Sequence, residues 1–113
     1  MTESLSMRQT ASDRLVISGE LNRANISLLI HYLRNLKLPK NGALALQLDA
    51  LEIGQGAALA SFVSILRELR TDNRSLILIG APQLLGHNLF RANLLSGEHA
   101  IALIEMREDE PYG

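Results

Sequence analysis

The chain has 113 residues, no cysteine, 4% aromatic residues and a formal net charge of −1. This length predicts one domain with a substantial core, and the balanced charge offers no excess of cations for a nucleic-acid backbone. The lack of cysteine excludes disulfides and thiol nucleophiles. No apolar run is as long as a membrane span, and residues 1–4 do not begin a secretion signal, so we expect a cytoplasmic protein without direct membrane insertion.

The first two segments predict an antiparallel hairpin. Apolar and polar side chains alternate weakly over residues 5–10, and residues 15–17, Leu-Val-Ile, are strongly β-prone. Residues 11–13 between them, Ala-Ser-Asp, favour a turn, and Gly19 ends the second segment.

A helix is predicted after the hairpin. Asn22 can cap its N-terminus, with Asn25 in the position that glutamate usually holds in a capping box. Apolar residues then recur at helical spacing until Pro39 and Gly42. This apolar stripe comprises Ile26, Leu29, Ile30, Leu33 and Leu36.

In the central stretch of the chain, the spacing of apolar residues changes from a period of two to a period of 3.6. Residues 43–48 alternate, and their two mostly apolar faces indicate a strand at the centre of the sheet or one covered by helices on both faces. Gly54, Gln55 and Gly56 then turn the chain into a second helix, completing half of a βαβ unit. The apolar stripe of that helix comprises Leu59, Phe62, Val63, Leu66 and Leu69.

The last third of the chain predicts a strand, a helix and a strand. Residues 76–79 read as a buried strand, Pro82 opens a third helix that ends at residues 96–97, and residues 100–104 form the final strand. The apolar side of the third helix comprises Leu85, Leu89, Phe90, Ala92 and Leu94.

The predicted order β-β-α-β-α-β-α-β belongs to the α/β class. Strands separated by helices of this length must mostly run parallel, through right-handed crossovers. We therefore expect a small α/β sandwich with a mixed, mostly parallel sheet packed with helices. Residues 1–107 are predicted to form this single domain, and residues 108–113 a flexible acidic tail.

Two features of the central stretch point to binding. The backbone N–H groups of the Gly54-Gln55-Gly56 turn lie at a helix N-terminus, which favours an anion, although such a short fragment more often serves only a tight turn. The second helix also carries small residues opposite its apolar stripe, a face that suits close approach by another protein or is simply solvated. These residues are Ala57, Ala60, Ser61 and Ser64.

No set of residues predicts catalysis or metal binding. His31, His87 and His99 share no ligand spacing, and no serine lies in a nucleophile-elbow pattern. Asp49, which ends the central strand, is predicted to cap the adjoining turn. We therefore expect a protein that is not an enzyme and uses no metal or cofactor.

Four segments together resemble the STAS domain, the fold of bacterial anti-sigma factor antagonists. Residues 15–22 resemble the family's strand that ends in Gly-Glu-Leu-Asp, and residues 46–49 resemble its central strand ending in Asp. Residues 76–82 resemble its third long strand and the following turn. The last helix of the family is matched by Leu89-Phe90 followed by Leu94-Leu95. The resemblance covers nearly the whole chain.

The family's phosphorylation switch is altered in this sequence. Its motif, Asp-Ser-x-Gly-Leu, starts the helix after the central strand. Aligned through Leu59, the motif's Asp falls on Gln55 and its phosphorylated Ser or Thr on Gly56, which has no hydroxyl group. The resemblance therefore implies either a constitutive binder or a protein that is controlled at another surface.

The resemblance implies a regulatory protein-interaction module of bacterial transcription that works by partner switching, with a kinase-like anti-sigma factor as partner. A second interpretation is a cytosolic STAS subunit bound to the ATPase of a lipid-transporting ABC system, because residues 2–6 and 18–21 resemble that subset. A third is a small-ligand or nucleotide binder that uses the glycine turn. Partners of STAS proteins dock at the start of the second helix. The predicted partner-binding residues are Asn22, Arg23, Gly54, Gln55, Gly56, Ala57, Ala60, Ser61 and Ser64.

Overall fold

The structure, a computed structural model, describes residues 5–71 and 73–105. The predicted acidic tail lies outside these ranges. The elements, in chain order, are β1 (Ser6–Ala11), β2 (Arg14–Leu21), α1 (Ile26–Asn35), β3 (Gly42–Gln47), β4 (Leu51–Ile53), α2 (Ala57–Leu69), β5 (Arg74–Ile79), α3 (Gln83–Arg91) and β6 (Ala102–Ile104).

The six strands form one mixed sheet. Its order is β1-β2-β3-β5-β6, and β4 pairs with β2. β1 runs antiparallel to β2, which confirms the predicted hairpin, and every other pair is parallel. The predicted α/β class with a mixed, mostly parallel sheet is therefore confirmed, and β3 lies at the centre of the sheet.

β4 is a strand that the sequence pattern does not predict. β3 and β4 both pair with β2: Leu46 of β3 lies beside Leu15, and Ile53 of β4 beside Leu21. The chain turns between them, where the N–H of Leu51 donates to the carbonyl of Leu48 at 3.0 Å. With only three residues, β4 is too short to show a period.

The helices pack on one face of the sheet. Alternate strand residues are fully buried against the apolar sides of α1, α2 and α3. These alternating residues are Leu15, Ile17, Leu44, Leu46, Leu76 and Leu78. The strand residues between them, including Val16, Gln47 and Ile79, are half-buried. Because each parallel connection steps in the same direction across the sheet, right-handed crossovers place all three helices on one side.

Several helix and strand ends differ from the predictions. β2 continues past Gly19 to Leu21, and α3 ends at Arg91 rather than at residues 96–97. α1 begins at Ile26, after a turn at residues 22–25, rather than directly after Asn22. β6 covers only residues 102–104 of the predicted segment. The sequence pattern puts Phe90 on the apolar side of α3, yet 68% of its surface is exposed, so that prediction is wrong. Among the described residues, no helix has both the length and the apolar character needed to cross a membrane.

Candidate functional site

Two loops that the sequence marks as binding segments lie side by side at the carboxyl ends of the strands. Leu21, the last residue of β2, is the register partner of Ile53, the last residue of β4. Residues 22–23 and 54–56 therefore leave neighbouring parallel strands at the same edge. We call residues 22–23 and 54–57 together the carboxyl-end surface. Its two halves are juxtaposed by β4, the strand that sequence reasoning missed.

Asn22 and Asn25 hold the first loop rigid. The side-chain oxygen of Asn22 accepts hydrogen bonds from the N–H groups of Ala24 and Asn25, at 2.9 and 3.1 Å. The side-chain oxygen of Asn25 accepts the N–H of Asn22 at 2.8 Å, and its amide donates to the carbonyl of Glu20. This reciprocal pairing is the predicted capping-box arrangement, formed one turn before the regular helix. It leaves Arg23 exposed at the tip of the loop.

The second loop, Gly54-Gln55-Gly56, is exposed and precedes α2. Gly56 holds the N-cap position with φ of 134° and ψ of −162°, a conformation that side chains with a Cβ rarely adopt. No side chain of the described residues caps α2. The first-turn N–H groups of α2 therefore have no side-chain acceptor among the described residues.

Gly56→Ser is expected to lower the free energy of unfolding by about 1–2 kcal/mol, because serine must adopt this positive φ. No atom lies within 4 Å of a Cβ at this position, so the effect comes from the backbone alone. Chemical unfolding of the wild type and the variant measures it. Gly54→Ser is the matched control, since Gly54 also has open space and its φ lies outside the positive range. Equal stability of the two variants would contradict the conformational argument.

The small face of α2 continues from this surface along the helix. Ala57, Ala60 and Ser64 are exposed, as predicted, whereas Ser61 is half-buried. The helix carries no charged side chain before Arg67. The start of α2 therefore presents small, uncharged groups to solvent.

A shallow groove separates the small face of α2 from α1. Its volume is about 260 Å³, and it is lined by Ile30, Arg34, Ala60, Ser61, Ser64, Ile65 and Glu68. At one end, Arg34 and Glu68 form two parallel hydrogen bonds of 3.0 Å that join the two helices. No sequence pattern predicts this pair, because its members are 34 residues apart.

The Arg34–Glu68 pair is exposed and titrates with pH. The hydrogen bond with Arg34 lowers the pKa of the Glu68 carboxyl, and the same bond raises the pKa of Arg34. A lowered carboxyl pKa means that the pair stabilises the fold above the ordinary glutamate pKa and that this contribution is lost as the pH falls through the lowered value. Both side chains are more than half exposed to solvent, so the pair contributes little to the stability of the protein.

Asp49 does not form the predicted cap. Its side chain makes no hydrogen bond to the residues described, and the turn is closed by backbone groups instead. Its Cβ packs against Gly80, where an added Cβ would lie only 2.6 Å away. Asp49 is thus a packing neighbour of the turn after β5.

The other polar groups are dispersed. Within residues 5–71 and 73–105, no three His, Asp or Glu side chains gather in a metal-binding arrangement. His31 lies on α1, His87 on α3 and His99 in the loop before β6.

No family model matches the chain, and a search of curated proteins finds no significant match. The STAS resemblance stays a prediction.

Proposed function

We propose that this protein is a non-enzymatic interaction module of the STAS type that binds a regulatory protein partner constitutively. The docking site is the carboxyl-end surface together with the small face of α2. The observation that carries this proposal is the Leu21–Ile53 register, which joins two exposed loops into one surface. Sequence resemblance and geometry thus point to the same end of the sheet.

The chemistry of this surface suits a protein partner. Small side chains let another backbone approach α2 closely, and the absence of charge before Arg67 removes the desolvation penalty that lysine or glutamate would add. The uncapped N–H groups of α2 can donate to carbonyl or carboxylate oxygens of the partner. Arg23 adds one exposed cation at the rim.

The conformation of Gly56 supports constitutive binding. In the resembling family, a phosphate on this position ends partner binding. Here the residue lacks a hydroxyl group, and its positive φ favours glycine over serine or threonine. A kinase-like anti-sigma factor is therefore proposed as a partner that cannot release this protein by phosphorylating position 56.

The experiment is an affinity purification from the native cell extract, analysed by mass spectrometry. The test variant combines Ala57→Arg and Ser64→Arg, two exposed positions on α2. Ser12→Arg is the matched control, because Ser12 is also exposed but lies in the β1–β2 turn at the opposite end of the sheet. We expect the wild type and the control to retain a regulatory protein that the double variant loses.

The identity of the retained protein tests the partner class. Retention of an anti-sigma factor would support the proposal as stated. If the wild type and the control instead retain an ABC ATPase that the double variant loses, the docking surface would stand, but the proposed partner would be wrong. Equal retention by all three proteins would overturn docking through α2. Retention of no protein, together with thermal stabilisation by nucleotides, would replace the proposal with ligand binding.

A further inference from the structure

Asn41 differs from every other asparagine of the chain in the residue that follows it. It precedes Gly42, whereas the others precede arginine, isoleucine or leucine. An asparagine cyclises when the backbone nitrogen of the next residue attacks its side-chain carbonyl carbon. Glycine has no side chain to hinder this approach, and its backbone reaches conformations that other residues avoid. Asn41 is therefore the asparagine with the most reactive neighbour.

The side chain of Asn41 is also free to react. It is exposed and lies in a bend between α1 and β3, outside any helix or strand. It makes no hydrogen bond to the residues that the structure describes. Hydrogen bonds instead hold several other asparagine side chains, those of Asn22, Asn25, Asn35 and Asn88. Structure and sequence thus single out the same asparagine.

The attacking nitrogen lies at the very start of β3. Gly42 is the first residue of this strand, and no atom lies within 4 Å of the place that a Cβ would take. Its N–H donates to the carbonyl of Asn73 at 3.0 Å. The nitrogen attacks only after it loses this proton, so the hydrogen bond must open first. Amides at the fraying ends of an element open at much lower free energies than those in the core.

We propose that Asn41 is a spontaneous deamidation site, controlled by the hydrogen bond between Gly42 and Asn73. The Gly42 nitrogen loses its proton and bonds to the side-chain carbonyl carbon of Asn41, and the side-chain nitrogen leaves as ammonia. Water then opens the cyclic imide at either carbonyl, which leaves aspartate or isoaspartate at position 41. The reaction consumes only water and needs no enzyme. This inference does not depend on the proposed function.

The two products differ in their effect on β3. Aspartate adds one negative charge at an exposed position beside Lys40. Isoaspartate also inserts a methylene group into the backbone immediately before Gly42, which displaces the pairing of Gly42 with Arg74. The guanidinium of Arg74 donates to the carbonyl of Pro39 at 2.8 Å, so the same displacement strains the anchor of this loop. Isoaspartate is therefore expected to loosen the start of the central strand.

Peptide mass spectrometry of the full chain, incubated at neutral and at alkaline pH, tests the site. We expect the mass gain of an amide-to-acid change at Asn41 before any other asparagine, and faster at alkaline pH, because base removes the Gly42 proton. Asn41→Gln is the matched control, since it keeps a side-chain amide but forms its larger cyclic imide far more slowly. Earlier conversion of another asparagine, or equal conversion of the control, would overturn the proposal.

Comparison of the folded protein with the guanidinium-unfolded chain tests the control by the hydrogen bond. Opening of the strand end alone should make the folded protein deamidate about 5- to 30-fold more slowly than the unfolded chain. Hydrogen exchange of the Gly42 amide should be slowed by a similar factor, because both reactions need the same opening. Equal rates in the two states would overturn the control. Slowing by about 10³-fold or more would mean that only global unfolding exposes the site, and would overturn it as a site of the folded protein.

Thermal unfolding tests the effect of the products on β3. The isoaspartate form, separated from aged protein by chromatography, is expected to melt at a lower temperature than fresh protein. Asn41→Asp reproduces the charge without the extra methylene group, and it is expected to melt like fresh protein. Equal melting temperatures of the isoaspartate form and Asn41→Asp would overturn the backbone effect.

Discussion

Phe62→Ala is expected to lower the free energy of unfolding by about 3–5 kcal/mol, the usual range for removing a buried aromatic ring. Phe62 is fully buried at the centre of α2, where the apolar stripe meets the leucines of the sheet. The cost combines the lost transfer free energy of the ring with the cavity that it leaves. Because a domain of this kind has a total free energy of unfolding of about 5–15 kcal/mol, this side chain accounts for a large share of the protein's stability.

Phe90→Ala is the matched control for this prediction. The chemical change is identical, but the Phe90 ring is 68% exposed, so the stability change is expected to stay within about 0.5 kcal/mol. Urea unfolding of both variants gives the comparison. Similar losses in the two variants would mean that α2 does not pack on the sheet as described.

Gly80→Ala is expected to cost about 2–4 kcal/mol, more than a single added methyl group usually does. Gly80 has φ of +67°, and an added Cβ would stand 2.6 Å from the Cβ and 3.0 Å from the Cα of Asp49. The Cα belongs to the backbone of the turn between β3 and β4, so the clash cannot be relieved by rotating a side chain. The added methyl group must therefore strain both the turn after β5 and the turn between β3 and β4.

Gly97→Ala separates the effect of the positive φ from the effect of the clash with Asp49. Gly97 also has a positive φ, of +96°, but an added Cβ at this position would have no atom within 4 Å. We expect this control to cost about 1 kcal/mol, from backbone conformation alone. Asp49→Gly in the Gly80→Ala background removes one clashing atom and should restore part of the lost stability. Thermal unfolding of the three variants measures these differences, and equal losses at positions 80 and 97 would refute the clash.

The elements with a clear period or clear stop signals could be predicted from the sequence. The alternation of residues 43–48 and the helical stripe after Gly56 predicted β3 and α2, and the turn at residues 11–13 predicted the hairpin. β4 escaped prediction because three residues show no period. Coverage of β3 on only one face could not be deduced either, because Ala45 and the residues around it are apolar on both faces.

The sequence predicted the residues of the candidate site better than it predicted how they lie relative to one another. Local patterns identified Asn22 and the Gly54-Gln55-Gly56 turn, since capping and turn chemistry depend on neighbours in the sequence. Their juxtaposition depends on the pairing of β4 with β2, in which the paired residues are 32 positions apart in the sequence. The Arg34–Glu68 pair likewise depends on the packing of α1 against α2. The exposure of Phe90 and β6 is a tertiary property of the same kind.

The central claim is that a regulatory protein docks on the start of α2, and site-specific photo-crosslinking inside the native cell tests it most directly. A photoreactive residue is placed at Ala57, on the proposed surface, and at Ser12, in the turn at the opposite end of the sheet. We predict a discrete crosslinked protein from position 57 and none from position 12, with the adduct lost when Ser64→Arg is added. An adduct of equal yield from both positions, or one from position 12 alone, would contradict the account.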